Sequence, residues 1–202
     1  MIPTDISLVD EFLRLVPAFK VSVDQINGAV LESLAELEPW MTWASDDYQP
    51  SFTSAWQITA RAGWQQGVEF QFAILDAADG KFLGGSGLNH LNPQYRFANL
   101  GYWVRTSATR HGVASRAARL VARFGFEQLG LVRAEIVVAQ GNLPSLMAAH
   151  KAGALREGLL RHRLWTAAGL EAAYMHSLVP EDFEISLAQV NETWERRLEM
   201  RG

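Results

Sequence analysis

The sequence predicts an α/β (α+β) protein with a mixed central sheet of about seven strands, largely antiparallel and flanked by helices. Three features indicate this fold. Apolar residues in the first third of the chain recur at steps of three and four, as on one side of an amphipathic helix. The middle of the chain alternates strand-forming runs with turn signals, as in an antiparallel meander. Beyond residue 100 the order becomes strand, helix, strand, which produces a parallel pair.

The helical region comes first, and its apolar positions are Val23, Ile26, Val30, Leu34 and Leu37. This spacing predicts one helix that ends at Glu38, because Pro39 disfavours the helical conformation of the residue before it. A short strand over residues 12–16 precedes the helix and stops at Pro17. Helix-like sequence continues to about residue 64.

The meander is predicted from strands over residues 70–75, 82–91 and 100–104. Turn signals separate them at Asp79-Gly80 and at Asn92-Pro93. The second strand contains the glycine-rich stretch 84–87, which predicts a bulge or a close backbone contact.

The remaining elements follow a glycine-containing loop. We expect a helix that Gly130 closes, a further strand, a short helix after Gly141-Asn142, and a hairpin. A charged helical extension ends the chain. The predicted ranges are 115–129, 134–139, 144–151, 155–165 with 171–178, and 183–202.

Composition limits the kind of protein. With 202 residues, 49% hydrophobic and 20% charged, we expect one domain over residues 1–202. The net charge of −4 argues against nucleic acid as a partner, and the absence of cysteine excludes a disulfide framework and a cysteine nucleophile.

The five histidines are not at metal-ligand spacing, so no metal is expected. No apolar run reaches the ~20 residues of a membrane span, which favours a cytoplasmic protein with no membrane partner.

A loop of mostly small residues leads from the strand ending at Val104 into the next helix. Helix N-termini leave backbone N–H groups unpaired and carry partial positive charge, and glycine lets a phosphate approach them. The loop therefore predicts a pyrophosphate site, the alternative being a tight connection without a ligand. The residues concerned are Arg110, His111, Gly112, Val113, Ala114 and Ser115.

A second segment, Asn142-Leu143-Pro144-Ser145, starts the helix after the next strand. In this order the two segments resemble the GNAT acetyltransferase superfamily, specifically the RimJ/RimL type of ribosomal-protein N-terminal acetyltransferase. Residues 37–43, 72–74 with 82–84, and 100–103 support the resemblance, which covers about residues 13–178. It implies a GNAT fold with the parallel pair at the cofactor site, and acetyl-CoA as cosubstrate.

The resemblance also implies direct attack of a neutral amine on the thioester, without an acyl-enzyme. A backbone N–H near Trp103, Val104 or Arg105 would donate to the thioester oxygen. Ser145 would supply a proton or hydrogen bond to the leaving thiolate. Asn142 would bridge the start of its helix and the pantetheine arm, or act as an N-cap alone.

Departures from the family pattern leave the catalytic base open. Thr109 stands where the family commonly has Gln or Arg, and Asn99 stands where relatives often have a glutamate that acts as a base. No carboxylate lies within residues 159–164. His90 and Glu157 are the candidates for a base or a water relay. The alternatives are a histidine hydrogen-bonded at a strand end and a solvated strand carboxylate.

The expected acceptor is the N-terminal α-amine of a protein or peptide, because an α-amine with a pKa of roughly 8 loses its proton more easily than lysine at about 10.4. The alternatives are a small-molecule amine acetyltransferase, acting on an antibiotic or polyamine, and a non-catalytic acyl-CoA-binding module. Trp40 and Trp43 either wall the acceptor pocket or pack internally. Arg116, Arg119 and Arg123 either reach the cofactor's 3′-phosphate or form an exposed basic side. Whether the protein forms a homodimer is left open.

Overall fold

The computed structural model describes residues 2–199, and within them it contains one eight-stranded sheet. The strands are β1 (Leu8–Val9), β2 (Leu13–Pro17), β3 (Phe70–Asp76), β4 (Phe82–Asn92), β5 (Phe97–Val104), β6 (Arg133–Ala139), β7 (Leu155–Thr166) and β8 (Gly169–Leu178). Their order across the sheet is β1-β2-β3-β4-β5-β6-β8-β7, antiparallel except for the parallel pair β5 and β6. The predicted mixed sheet with one parallel pair is confirmed. The additional strand is β1, whose two residues are too few to give a periodic pattern.

Helices cover both faces of the sheet. They are α1 (Val23–Glu32), α2 (Leu34–Leu37), α3 (Pro50–Gln66), α4 (Val113–Leu129), α5 (Leu143–Lys151) and α6 (Leu187–Glu199). On one face, α4 packs over the main core, where Trp64, Phe70, Phe72 and Phe124 meet with ring centroids 5.0 to 6.3 Å apart. On the other face, α1 packs over a smaller cluster around Ala73. The two clusters hold the sheet between them.

A single helix over residues 23–37 does not form. α1 ends at Glu32, and Ser33 leaves the helical conformation with φ −115° and ψ 7°. The Ser33 hydroxyl donates to the Ala29 carbonyl at 2.7 Å and accepts the Thr106 N–H at 3.0 Å. A buried serine therefore fastens the end of α1 to the segment after β5. An apolar pattern cannot indicate such a break, because the bonds that cause it are polar and distant in sequence.

The glycine-rich stretch of β4 allows the close backbone contact that the sequence predicted. Gly84 has φ +155°, and a methyl group there would lie 2.2 Å from the Trp103 carbonyl oxygen. The pairing of β3 with β4 also shifts register at this point, between Ile74 and Leu75. Only glycine allows the two backbones to approach this closely.

β5 and β6 separate soon after they pair. Their register consists of Phe97 with Arg133, Ala98 with Ala134, and Asn99 with Glu135. Beyond that point β5 continues alongside β4 and β6 continues alongside β8. A gap therefore opens within the sheet, bordered by the last five residues of β5.

Of the helical extension predicted over residues 183–202, α6 covers residues 187–199, and residues 200–202 lie outside the described residues. None of the helices within residues 2–199 has the length and apolar character needed to cross a bilayer.

Candidate active site

The gap between β5 and β6 opens into a cavity of about 810 Å³. One end is lined by Tyr102, Asn142 and Ser145, on the side of the sheet where α4 and α5 pack. The other end lies under α1 and the segment before α3, with Trp43 and Trp103 in its wall. The cavity thus connects the two faces of the sheet.

The loop before α4 has the geometry of an anion site. Arg110 and Gly112 both have positive φ, at +67° and +77°, so the backbone curls before the helix begins. The first helical hydrogen bond is from the Arg116 N–H to the Gly112 carbonyl at 3.1 Å. The N–H groups of Val113, Ala114 and Ser115 precede it and have no partner inside the helix. This arrangement suits a pyrophosphate.

Side chains leave that loop accessible. A methyl group at Gly112 would have its nearest neighbour, the Ser115 hydroxyl, at 3.9 Å. Arg110 and His111 are exposed, Val113 is buried in the core, and the Ser115 hydroxyl donates to the Gly112 carbonyl at 3.0 Å. The residues present therefore fit the pyrophosphate of acetyl-CoA through their backbone groups.

The three arginines of α4 each have a partner within the chain. Arg116 lies over the Phe12 ring, 4.2 Å from its centroid, and contacts the Asp10 carboxylate at 3.4 Å. Arg119 donates to a backbone carbonyl of α5's C-terminal cap at 2.9 Å, and Arg123 pairs with Glu127 at 3.2 Å. None of these bonds requires a phosphate.

Arg105 contributes to the fold rather than to the cavity. Its guanidinium bonds the Glu32 carboxylate and the Phe82 carbonyl. The pKa of the Glu32 carboxyl is lowered from 4.5 to about 2, mainly by its hydrogen bonds with the Arg105 side chain and secondly by the one from the Ser107 N–H. The Arg105 N–H donates to the Leu83 carbonyl at 2.8 Å. Because that N–H is already paired with β4, it is not free to donate to a thioester oxygen.

Val104 has the better-placed backbone donor. N–H groups alternate between the two edges of a strand, and the Arg105 N–H is directed to β4. The Arg96 carbonyl accepts the Val132 N–H at 2.7 Å. The backbone polar groups of the even-numbered residues of β5 are therefore directed toward β6. The N–H groups of Tyr102 and Val104 therefore face the gap, where the pairing with β6 has ended.

Ser145 is held at the gap by two partners. The Asn142 side chain accepts the Ser145 N–H at 3.1 Å, so Asn142 is the N-cap of α5. The Ser145 hydroxyl donates to the Tyr102 hydroxyl at 3.2 Å, and Tyr102 donates in turn to the Ser145 carbonyl at 3.0 Å. Burial raises the pKa of Tyr102 to about 12, so Tyr102 keeps its proton at neutral pH. The sequence did not identify Tyr102 as a partner, although it belongs to the 100–103 motif.

Glu157 is in an ion pair away from the cavity. Arg133 donates to both of its carboxylate oxygens, at 2.7 and 2.5 Å, and the Ser177 hydroxyl donates at 2.7 Å. Mainly because of Arg133, the pKa of Glu157 falls from 4.5 to about 2. Glu157 does not line the cavity. A carboxylate held in this way is a weak base, and its position outside the cavity lining does not favour the catalytic role that the sequence suggested.

His90 lines the far end of the cavity, where β4 becomes irregular and His90 itself has φ +50°. The neighbouring Asn89 side chain accepts a hydrogen bond from Asn99 at 2.8 Å, so the Asn99 side chain has a partner within the sheet. Asn99 is five residues from Val104, or roughly 17 Å of extended strand. His90 therefore lies far from the N–H of Val104 and would need a water relay to act there.

Two polar residues of the cavity had no signal in the sequence. Glu69 and Gln71 line it, and the Gln71 amide donates to the Glu69 carboxylate at 2.7 Å. Gln71 pairs with Gly87, and a methyl group at Gly87 would lie 2.4 Å from the Gln71 side-chain oxygen. Strand register, which the sequence does not specify, places them there.

The cavity wall is rich in aromatic side chains, among them both tryptophans of the 37–43 stretch. Trp43 lies 5.9 Å from Trp103 and 6.0 Å from Tyr48 between ring centroids. The aromatic residues that line the cavity are Trp40, Trp43, Tyr48, Phe52, Trp56, Tyr102 and Trp103. In the part of the chain that the structure describes, no three His, Asp or Glu side chains are grouped to hold a metal ion.

Known proteins resemble this chain in sequence and fold. Residues 22–155 match the family model described as acetyltransferase (GNAT) domain. The Bacillus subtilis protein named "Putative ribosomal N-acetyltransferase YdaF" is 26% identical over 167 residues, which cover 80% of this chain and 87% of that protein. A solved RimL ribosomal-protein alpha-N-acetyltransferase in complex with coenzyme A superposes with a TM-score of 0.79 at 18% identity, covering 86% of this chain and 98% of that chain. Mycobacterium smegmatis RimJ in complex with a CoA-disulfide superposes with a TM-score of 0.72 at 25% identity, covering 88% of this chain and 87% of that chain.

Proposed function

Because the chain belongs to the acetyltransferase (GNAT) family and is an acetyl-CoA-dependent N-acetyltransferase, we propose that its acceptor is the N-terminal α-amine of a protein or peptide. The observation that carries this proposal is the cavity, which joins the Ser145 end to the aromatic end through the sheet. It gives the acyl donor and the amine separate approaches. The names of the similar proteins, which concern ribosomal proteins, support a protein acceptor that is met in the cytoplasm.

Each group at the gap has one task. Acetyl-CoA supplies a thioester carbonyl. The amine nitrogen bonds to the carbonyl carbon while the carbon–sulfur bond breaks, so nitrogen loses one proton and sulfur gains one. The Val104 N–H donates to the carbonyl oxygen as it gains charge. Ser145 holds a proton that it can give to the departing sulfur, and it regains one from water.

The amine reaches the gap already neutral. The carboxylate of Glu157 is paired with Arg133, and Asn99 stands at the position where the family resemblance led us to look for a glutamate. These two positions offer no carboxylate base. We assign deprotonation to solvent, because Glu69, a carboxylate that does line the cavity, already accepts a hydrogen bond from Gln71. A weakly basic α-amine tolerates this better than lysine, because about a tenth of it is neutral at pH 7.

Thiol release from acetyl-CoA tests the proposal. Peptides with a free N-terminus and no lysine should release thiol, and N-terminally blocked peptides with one lysine should release far less. A preference for polyamines or aminoglycosides would assign the protein to small-molecule acetylation. Tight binding of acetyl-CoA with no thiol release in the presence of any acceptor would support a non-catalytic binding module.

A further inference from the structure

The aromatic side chains at the acceptor end form a continuous ribbon. Ring centroids lie 5.7 Å apart from Phe82 to Trp103, 5.9 Å from Trp103 to Trp43, 6.0 Å from Trp43 to Tyr48, and 5.9 Å from Tyr48 to Phe52. The outer members are open to solvent, since Trp43 is 41% exposed and Phe52 39% exposed. Exposed aromatic surface grouped in this way inside a cavity favours an apolar ligand.

The sheet beneath the ribbon leaves room for such a ligand. Gly85, Gly87 and Gly101 lie on the face that carries Trp103, because directly paired residues point to the same side. The Trp103 ring covers Gly85, where a methyl group would lie 2.7 Å from the indole nitrogen. A methyl group at Gly101 would meet nothing within 4 Å. The floor at Gly101 is therefore bare backbone next to open space.

The ribbon is also continuous with the reacting gap. Trp103 lies between Tyr102, which bonds Ser145, and Val104, whose N–H faces the gap. On the other side of the gap, a methyl group at Gly141 would lie 3.4 Å from the Trp40 ring. A group bonded close to the attacking nitrogen would therefore contact aromatic rings.

From this geometry we propose that the acceptor carries a large apolar side chain, aromatic or long aliphatic, on the carbon that bears the attacking amine. The proposal rests on the proposed acetylation of α-amines and names the class of first residue. Residues such as Phe, Leu and Met would fill the space above Gly101 and cover the Trp43 ring. Ser and Ala would leave it empty. Burial of the larger side chain favours it by about tenfold to a hundredfold in kcat/KM.

The test uses peptides that differ only in the first residue, with Phe, Leu, Ala or Ser in that position, together with phenylalanine amide and alanine amide. The peptides beginning with Phe and Leu should have the higher kcat/KM. Trp43→Ala should lower kcat/KM for the Phe and Leu peptides by more than for the Ser peptide, so that the preference shrinks, and acetyl-CoA affinity should stay the same. Trp165→Ala is the matched control, because Trp165 is 68% exposed on the β7–β8 hairpin and does not line the cavity.

The outcomes separate this inference from the proposed function. Equal kcat/KM for all four peptides, or faster turnover with Ala and Ser, would overturn the inference and leave N-terminal acetylation intact. An equal loss for every acceptor in Trp43→Ala would also overturn it. If phenylalanine amide is acetylated faster than alanine amide and no peptide is acetylated, the apolar preference stands and the proposal of a protein acceptor is refuted. Lack of turnover with every acceptor would refute both.

Discussion

Tyr102 and Ser145 are bonded to each other twice, since the Ser145 hydroxyl donates to the Tyr102 oxygen and the Tyr102 hydroxyl donates to the Ser145 carbonyl. The two residues are 43 positions apart in the chain. The pair holds the Ser145 oxygen at the gap, with its proton directed at the Tyr102 oxygen. To give that proton to a departing sulfur, as proposed, the hydroxyl must turn about its Cβ–Oγ bond away from Tyr102 while the backbone contact keeps Ser145 in place.

Replacement of either residue should lower turnover. Ser145→Ala should reduce kcat by about tenfold with little change in acceptor KM, because its role arises as the thiolate departs. The loss is moderate because a thiol with a pKa of about 8.5 is already a fair leaving group.

Tyr102→Phe should lower kcat by less than Ser145→Ala does, since Ser145 keeps its proton and loses only its hydrogen-bond partner. Tyr95→Phe, at a 64% exposed tyrosine, is the control. Unchanged kcat for Ser145→Ala when chemistry limits the rate would remove Ser145 from the mechanism.

Gly112→Asp should abolish binding of acetyl-CoA, because it places a carboxylate beside the N–H groups proposed to hold the pyrophosphate. Gly112→Ala is the matched control: it carries the same backbone strain at φ +77° without the charge, and it should retain most of the affinity. Calorimetric titration with coenzyme A measures both. Equal affinities for the two variants, with the fold intact, would move the pyrophosphate site elsewhere.

Glu157→Gln should affect stability and not catalysis. The folded pKa of Glu157, about 2, lies below its ordinary value of 4.5, so the ion pair stabilises the protein fully above pH 4.5 and progressively less as the pH falls toward 2. The expected loss at pH 7 is about 1 kcal/mol, because the Glu157 side chain is 36% exposed and solvent screens the pair. Chemical denaturation at pH 7 and pH 3 should show the difference shrinking at the lower pH. A large drop in kcat at unchanged stability would restore Glu157 as a base.

The rate at low acceptor concentration should rise with pH up to the pKa of the amine itself. At pH 7 an α-amine should react roughly two-hundredfold faster than a lysine side chain, from the ~2.4-unit difference in their usual pKa values. Matched peptides, with either amine blocked, measure this ratio. A plateau well below the acceptor's pKa would reveal an enzyme base, with Glu69 and His90 as the first residues to replace.

Features carried by neighbouring residues could be predicted from the sequence. The small-residue loop, α4 and the closing Gly130 lie in one continuous stretch, and the structure places α4 within two residues of the expected range. The break at Ser33 could not be predicted, because the N–H it accepts belongs to Thr106. The same holds for the contacts of Trp43 with Trp103 and of Tyr102 with Ser145, which depend on strand register and on the way the helices pack.

The separation of β5 from β6 after Asn99 also bears on the order of events in a catalytic cycle. If the donor enters beside α4 and α5 and the amine beneath α1, as proposed, neither ligand must leave before the other arrives. Initial-rate lines at different fixed concentrations of one substrate should therefore intersect rather than run parallel. Desulfo-coenzyme A, which cannot react, should occupy its side without displacing the amine, and a truncated peptide should likewise leave the donor bound.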